Sequence, residues 1–168
     1  INCENISGTL TIPRSVMTIG EGAFANCSRL TGTLIIPNSV TTIGRNAFLG
    51  CYGLTGIELP SSLTSIEYGT FKNCRGLTGT LIIPSSVTTI GRDAFHACGF
   101  TSLVIPKSIT NIEHGVFSYC SRLTGTLIIP NSVTTIGQYA FDGCSGITGI
   151  GLPGSISNIE EGACMVCR

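Results

Sequence analysis

Leu123–Cys144 reads LTGTLIIPNSVTTIGQYAFDGC, and nearly the same sequence recurs at Leu30–Cys51 and at Leu77–Cys98. Looser copies of the same pattern fill the stretches between these three. Self-similarity at a fixed period of roughly 20–50 residues is typical of solenoids and other repeat architectures. The repetition therefore predicts that the 168 residues form tandem copies of one structural module. Each copy is expected to pack mainly on its neighbours.

Seven repeats result when each copy is counted from one cysteine to the next. Copies of 24 residues mostly alternate with copies of 22 or 23, as if a two-repeat block had been duplicated. We predict a single domain over residues 1–168 and expect it to be part of a longer protein, because Ile1–Cys3 resembles the tail of an earlier copy. The repeats are Glu4–Cys27, Ser28–Cys51, Tyr52–Cys74, Arg75–Cys98, Gly99–Cys120, Ser121–Cys144 and Ser145–Cys167.

Each repeat carries signals for two extended pieces and a tight turn. The first piece, such as Thr33–Pro37, alternates inward and outward residues and ends at a proline, which cannot donate to a sheet ladder. A second, shorter strand is predicted over segments such as Val40–Ile43. The following A-F-x-x-C segment, such as Ala47–Cys51, predicts one helical or 3-10 turn. One copy is too small to fold alone, so stacked copies must share a core and pair their strands in a parallel sheet.

The composition and motifs exclude several classes of function. Nine basic and nine acidic residues are scattered along the chain, so no basic stripe indicates nucleic acid binding. No run of 18 apolar residues is present, which argues against membrane insertion. Neither His96 nor His114 lies beside a nucleophile or a ligand set, so we expect both at the solvated surface. We predict no enzyme activity, no metal site and no cofactor.

The cysteines follow the repeat. Stacked coils place equivalent Cβ atoms about 5 Å apart, farther than the roughly 3.8 Å of a disulfide, so we predict a buried ladder of reduced thiols. The ninth cysteine, Cys164, lies in the phenylalanine column and forms C-x-x-C with Cys167. Three interpretations of this pair remain open: a degenerate terminal repeat, a local disulfide and a reactive thiol. The predicted ladder is Cys3, Cys27, Cys51, Cys74, Cys98, Cys120, Cys144 and Cys167.

The repeat pattern resembles a known family. L-T-x-[IL]-x-[IL]-P-x-S-[VIL]-x-x-I-[GE]-x-x-[AGTV]-F-x-x-C is similar to the BspA-like, or Treponema-type, leucine-rich repeat over essentially the whole chain. The departures are local: Cys164 replaces the phenylalanine, and Gly99–Thr101 is one residue short. The resemblance implies an α/β, β-rich solenoid, a right-handed arc with a parallel concave sheet and short helical or 3-10 turns. It also implies cell-surface or secreted proteins, often linked to adhesion.

Two predictions concern side-chain columns. Phe48, Phe71, Phe95, Phe117 and Phe141 should stack in the core. On the concave side, alternation leaves an outward row in which the β-branched residues of consecutive coils form an apolar stripe flanked by hydroxyls, as at interfaces. The alternative is that these side chains only stabilise an exposed ladder. The predicted ligand-binding residues are Thr33, Ile35, Glu58, Thr80, Ile82, Val104, Thr126 and Ile128.

Two functional hypotheses follow. The first is a protein-binding repeat module of a cell-surface or secreted protein, acting in adhesion or host interaction, with a host matrix protein or receptor as ligand. The alternative is a structural spacer that carries other domains and has no ligand of its own. Both ends expose apolar surface, so we also expect end-to-end self-association.

Overall fold

The computed structural model describes residues 6–165 and 167 as a parallel β-solenoid. Each turn of the solenoid, called a coil below, contributes one longer and one shorter strand, except that the first described coil has only the shorter one. Within the described residues the longer strands are β2 (Gly32–Ile35), β4 (Leu54–Glu58), β6 (Thr80–Ile82), β8 (Ser102–Val104), β10 (Gly125–Ile128) and β12 (Ile147–Gly151). The two-residue strands are β1 (Thr18–Ile19), β3 (Thr42–Ile43), β5 (Ser65–Ile66), β7 (Thr89–Ile90), β9 (Asn111–Ile112), β11 (Thr135–Ile136) and β13 (Asn158–Ile159).

The second extended piece of each repeat forms a strand, as predicted, although only two residues long. These short strands pair in parallel as β1–β3, β5–β7 and β9–β11–β13. Their register aligns equivalent residues of successive repeats, for example Ile19 with Ile43. The isoleucine of every short strand except β13 is buried, so the short strands close the core on their side of the rod.

The longer strands form pairs rather than one continuous sheet. β2 pairs with β4, β6 with β8 and β10 with β12, each joining a longer repeat to the shorter one that follows. The longer repeats have one extra residue between the buried leucine and the proline, as LTGTLIIP compared with LTGIELP. The extra length is accommodated where Gly32, Gly79 and Gly125 take φ values of 77°, 74° and 75°, which glycine adopts without a Cβ clash. The two-repeat alternation therefore sets the period of the sheet.

The segment that precedes each cysteine is not helical, so the predicted helical or 3-10 turns are wrong: the described residues contain no helix. In the second repeat, Asn46 and Gly50 have φ values of 53° and 69°, which a right-handed helix does not allow. The Ala47 N–H bonds within its coil to Gly44, whereas the Phe48 N–H donates to the Thr70 carbonyl of the next coil at 2.9 Å. Alternate amides thus hold the turn and stack the coils.

The predicted phenylalanine column is confirmed. Consecutive rings lie 5.4 to 5.7 Å apart between centroids with interplanar angles of 4° to 12°. Phe24 extends the column at one end, 5.3 Å from Phe48, and is only partly buried. The column is the axis of a core that runs the length of the described rod. The stacked residues are Phe48, Phe71, Phe95, Phe117 and Phe141.

In the shortest repeat, Gly99–Cys120, a larger core residue compensates for the one that is missing. Phe100 occupies the position held by Leu77 and Leu123 in the neighbouring coils and is fully buried. Its ring packs edge-on against Phe95, with centroids 6.1 Å apart and planes at 73°. The extra aromatic volume fills the core where the chain is one residue short, but the surface above it stays open.

Candidate functional site

The outward side chains of the longer strands form one face, called the strand face below. In β6, Thr80 and Ile82 are exposed while Leu81 between them is buried. β10 repeats the arrangement with Thr126, Leu127 and Ile128. The alternation that the sequence predicts is therefore present, and all eight predicted binding residues are exposed. The strand face comprises Thr33, Ile35, Glu58, Thr80, Ile82, Val104, Thr126 and Ile128.

The centre of the strand face is apolar. Ile82 and Val104 are register partners in the parallel pair β6–β8, and they leave 64% and 49% of their surface exposed. Ile128 continues the row in the next coil at 67% exposed, on a strand that pairs with β12 rather than with β8. Thr80 and Ser102, themselves register partners, flank the row with hydroxyls. The result is an apolar centre with a polar margin.

The first half of the strand face borders a cleft of about 960 Å³. Ile35 lines the cleft and is a register partner of Glu58 in one neighbouring coil and bridged to Thr11 in the other. Arg14 also lines the cleft, so a cation and an anion occupy the same opening. Thr33, Ile35 and Glu58 of this lining are predicted from the sequence, whereas Arg14 is not. The position of Arg14 directly after the proline that ends the strand could have identified it.

The corner beside this cleft is held by hydrogen bonds between coils. The Ser61 N–H donates to Asn38 Oδ1 at 2.9 Å, and the Ser61 hydroxyl donates to the same oxygen at 3.2 Å. In five repeats the serine that follows the proline by two residues also bonds back along the rod, whereas Ser39 Oγ is buried without a hydrogen-bond partner. Ser86 Oγ, for example, donates to the Leu63 carbonyl at 2.6 Å. The corners are thereby fixed, and the strand face is presented on a rigid support.

The cysteine ladder is present as predicted over most of its length. Its members are buried and reduced, and five of them donate an Sγ–H hydrogen bond of 3.1 Å to the phenylalanine carbonyl of the preceding coil. Burial raises the pKa of the Cys144 thiol to about 12 and raises the pKa of Cys98 well above its ordinary value. These thiols therefore act in packing and not as nucleophiles. The described ladder is Cys27, Cys51, Cys74, Cys98, Cys120 and Cys144.

The ladder does not extend to Cys167. Cys164 and Cys167 are joined by a disulfide, which answers the question that the C-x-x-C sequence left open and corrects the assignment of Cys167 as a reduced member. The bridge forms because Cys164 replaces the phenylalanine of the column, so two sulfur atoms meet where other coils have a ring and a thiol. Cys3, the other predicted member, lies outside the described residues.

The histidines are more embedded than the sequence indicated. His96 is half-buried, its Nδ1 lies 2.7 Å from Ser118 Oγ, and its ring meets Tyr119 edge-on. The expectation of a solvated side chain is therefore wrong for His96, because the next coil packs over it. Burial, followed by the charge of Lys72, lowers its pKa. His114 is more open, and its Nδ1 is 3.9 Å from an oxygen of Asp93.

The described residues form neither a cluster of metal ligands nor a membrane-spanning helix. Over residues 6–165 and 167, no group of three or more His, Cys, Asp or Glu side chains is arranged to hold a metal ion. In the same part of the chain, no helix has the length and apolar character needed to cross a bilayer.

Comparison with known proteins places this architecture. A family model described as a BspA type leucine rich repeat region matches residues 1–124 and 124–168, in six copies. The chain is similar to a leucine rich repeat protein of Treponema pallidum, with 34% identity and a TM-score of 0.78 over 86% of this chain and 67% of that one. It is also similar to a leucine-rich repeat protein from Bacteroides ovatus ATCC 8483, with 27% identity and a TM-score of 0.67 over 86% of this chain and 43% of that one.

A third structure shares the fold. It is a leucine rich cell surface protein from Faecalibacterium prausnitzii A2-165, with 24% identity and a TM-score of 0.57 over 95% of this chain and 60% of that one. No curated protein matches the chain. The chain spans about two thirds of the Treponema structure and less than half of the Bacteroides structure.

Proposed function

We propose that this chain, which belongs to the BspA-type leucine-rich repeat family, is a protein-binding repeat module whose contact surface is the strand face. The observation that carries the proposal is the row Ile82, Val104 and Ile128, three branched apolar side chains that remain largely exposed in successive coils. Apolar side chains that stand together at a surface mark sites where another molecule covers them.

The chemistry of the strand face fits a protein ligand. Its apolar centre is flanked by the hydroxyls of Thr80, Ser102 and Thr126, which can bond to a ligand backbone without the cost of burying a charge. Toward the other end, Glu58 and Arg14 border the same cleft and offer one group of each charge. A partner with an apolar ridge and polar edges would match both halves.

The location, role and ligand of the module are proposed on the basis of its family. We place the module at the cell surface or in the secreted fraction and assign it to adhesion or host interaction, with a matrix protein or receptor as ligand. The seven repeats act as one domain, a right-handed arc whose concave side is the strand face. Support comes from family membership and from the exposed apolar row, which is the part of the face that a ligand would cover.

A structural spacer is the second candidate, and one set of contacts favours it. Beside the short strands, exposed threonines bond along the rod: the hydroxyls of Thr41, Thr88 and Thr134 donate to carbonyls of the preceding coil at 3.3 to 3.4 Å. A uniform column of this kind supports the rod and offers nothing distinctive to a ligand. A spacer would be expected to have a similar column of polar side chains on the strand face. The strand face has exposed isoleucines and a valine at its centre.

Site-specific photo-crosslinking separates the two candidates. A photo-reactive residue replaces Ile82 in one protein and Tyr68, an exposed residue of a turn, in the control. Each protein is then irradiated with a panel of purified matrix proteins and receptor ectodomains. A binding module gives a defined crosslinked product from position 82 and none from position 68. Equal yields from both positions, or none from either, would favour the spacer.

A further inference from the structure

A second cleft, of about 530 Å³, opens on the turn side of the rod where repeat Gly99–Cys120 is one residue short. In the neighbouring coils, Arg75 and Ser121 directly follow the ladder cysteine. Cys98 is followed by Gly99, and a Cβ there would collide with the carbonyl oxygens of Arg75 and Leu77. No side chain can therefore fill the gap from this coil without a backbone shift. The cleft shares no lining residue with the opening beside the strand face.

Two arginines flank the cleft from the coils on either side. Arg75 belongs to the coil before Gly99 and Arg122 to the coil after it, and both line the opening. Within the described residues, the ion pairs are Lys72–Asp93 and His114–Asp93, and neither arginine has an acidic partner. Two guanidinium groups thus face one opening with their charge uncompensated.

The floor of the cleft offers unused hydrogen-bond donors. In the neighbouring coils, the N–H of Leu77 donates to Cys74 and that of Leu123 donates to Cys120, at 3.2 and 3.1 Å. The missing residue removes this bond from Phe100, whose N–H has no partner in the part of the chain that the structure describes although the residue is buried. Gly99 N–H also has no partner there, as at the equivalent Gly76 and Arg122, but Gly99 is buried whereas those two residues are more open. Buried backbone amides are nearly always bonded, so a group from outside the chain is expected at Gly99.

The side wall adds His96 and Tyr119. Ser118 engages Nδ1 of the histidine, and Nε2 has no partner among the described residues. The ring of Tyr119 packs against the imidazole and lines the opening with it. Burial lowers the pKa of His96 most, the charge of Lys72 adds to the lowering, and Asp93 opposes it.

We infer that this cleft binds an oxyanion, a carboxylate, sulfate or phosphate group, between the guanidinium groups of Arg75 and Arg122, with the Gly99 N–H as a backbone donor. Planar guanidinium groups bind such anions through paired N–H···O bonds, which are stronger than neutral hydrogen bonds. The cleft is larger than a single oxyanion, so the group belongs to a larger ligand whose remaining atoms contact Tyr119. This ligand is separate from the protein proposed for the strand face.

Titration of isotopically labelled protein with inorganic phosphate, inorganic sulfate and acetate, followed by amide NMR, tests the inference. We expect a saturable shift of the Gly99 amide with at least one of these anions, and the anion that gives it identifies the group. The double variant Arg75→Ala, Arg122→Ala should weaken that affinity about tenfold or more, because the charged hydrogen-bond donors on both sides of the cleft are lost. Arg29→Ala is the matched control, because Arg29 is exposed at the position of Arg122 in an earlier coil.

A second variant removes the cleft and keeps both arginines. Insertion of a serine between Cys98 and Gly99 restores the usual spacing and should abolish the Gly99 shift while the Phe95 and Phe117 resonances stay in place. Two results would overturn the inference. One is the lack of any saturable shift with all three anions, and the other is unchanged affinity in the double arginine variant.

Discussion

The thiol of Cys74 donates a hydrogen bond of 3.1 Å to the carbonyl oxygen of Phe48, one coil earlier. The same oxygen accepts the N–H of Cys51 in its own coil at 3.3 Å. The phenylalanine carbonyl is thus held from two coils at once, and the cysteine is both a small core residue and the link to the coil before it. The relationship recurs from Cys51 to Cys144. It explains why cysteine occupies this position without forming disulfides along the rod.

Substitution of a ladder cysteine should therefore cost more than its small side chain suggests. Cys98→Ala removes the bond to Phe71 O and leaves a small void, so we expect a loss of about 1–2 kcal/mol in the free energy of unfolding. Denaturant unfolding followed by circular dichroism measures it. Met17→Ala, at an exposed position, is the control and should change little. A Cys98→Ala protein as stable as its parent would show that the thiol bond contributes nothing.

Alkaline pH should destabilise the reduced ladder. Burial raises the folded-state pKa of Cys144 from 9.0 to about 12. The folded chain therefore keeps its proton at pH values where the unfolded chain has lost it. Stability from this source is complete below about pH 9 and falls as the pH rises toward 12. We expect the unfolding midpoint to decrease over that window, and less so in Cys144→Ala. The same slope in both proteins would contradict the assignment to this thiol.

Position in the phenylalanine column should set the cost of truncation. Phe95→Ala, at the centre, removes a fully buried ring that stacks on Phe71 and Phe117, so we expect a loss of about 3–5 kcal/mol. Phe24→Ala should cost less, because Phe24 is only partly buried and has one described stacking partner, Phe48. Thermal unfolding of both variants provides the comparison. An equal and small loss of stability in both variants would mean that the phenylalanine column does not stabilise the core.

In a protein made of these 168 residues, the coil that contains β13 should mediate association between copies. Ile159 lies in the column of Ile112 and Ile136, which are buried, yet it is exposed beside an apolar cleft with Leu152 and Met165. We expect light scattering to detect association that increases with protein concentration and that Ile159→Asp suppresses. Tyr52→Asp, an exposed site on a turn, is the control. A strict monomer at high concentration would contradict the expectation.

Much of this architecture could be predicted from the sequence because its signals are periodic. Alternation placed Leu81 inside and Ile82 outside, and the repeat spacing placed Phe71 over Phe95. The turn segment was predicted wrongly because a Phe–Cys separation of three fits a helical turn and a stacked turn equally well. Asn46 and Gly50, residues that readily take positive φ, were the available signal. In the fifth and sixth repeats, Tyr119 and Tyr139 also take positive φ, a conformation that tyrosine does not favour, so their residue type carries no signal for it.

One part of the candidate functional surfaces could be predicted from the sequence and another could not. The strand face follows from alternation within one strand, so its residues could be named from the sequence. The cleft at Gly99 is formed by side chains of the two neighbouring coils around the gap left by a missing residue. The sequence alone does not show that these side chains meet there. Arg14 is an intermediate case: its position directly after a proline is visible in the sequence, but only the structure shows which residues of the next coil share its opening.

The variant Ile82→Asp, Ile128→Asp tests the central claim, that the strand face is the binding surface, most directly. Both side chains are exposed, so circular dichroism and the unfolding midpoint should stay close to those of the parent. Affinity for the partner identified by crosslinking, measured by surface plasmon resonance, should fall by about tenfold or more, since two carboxylates would be buried without partners. Tyr68→Asp should bind as the parent does. Unchanged affinity in the double variant, with the fold intact, would contradict the account.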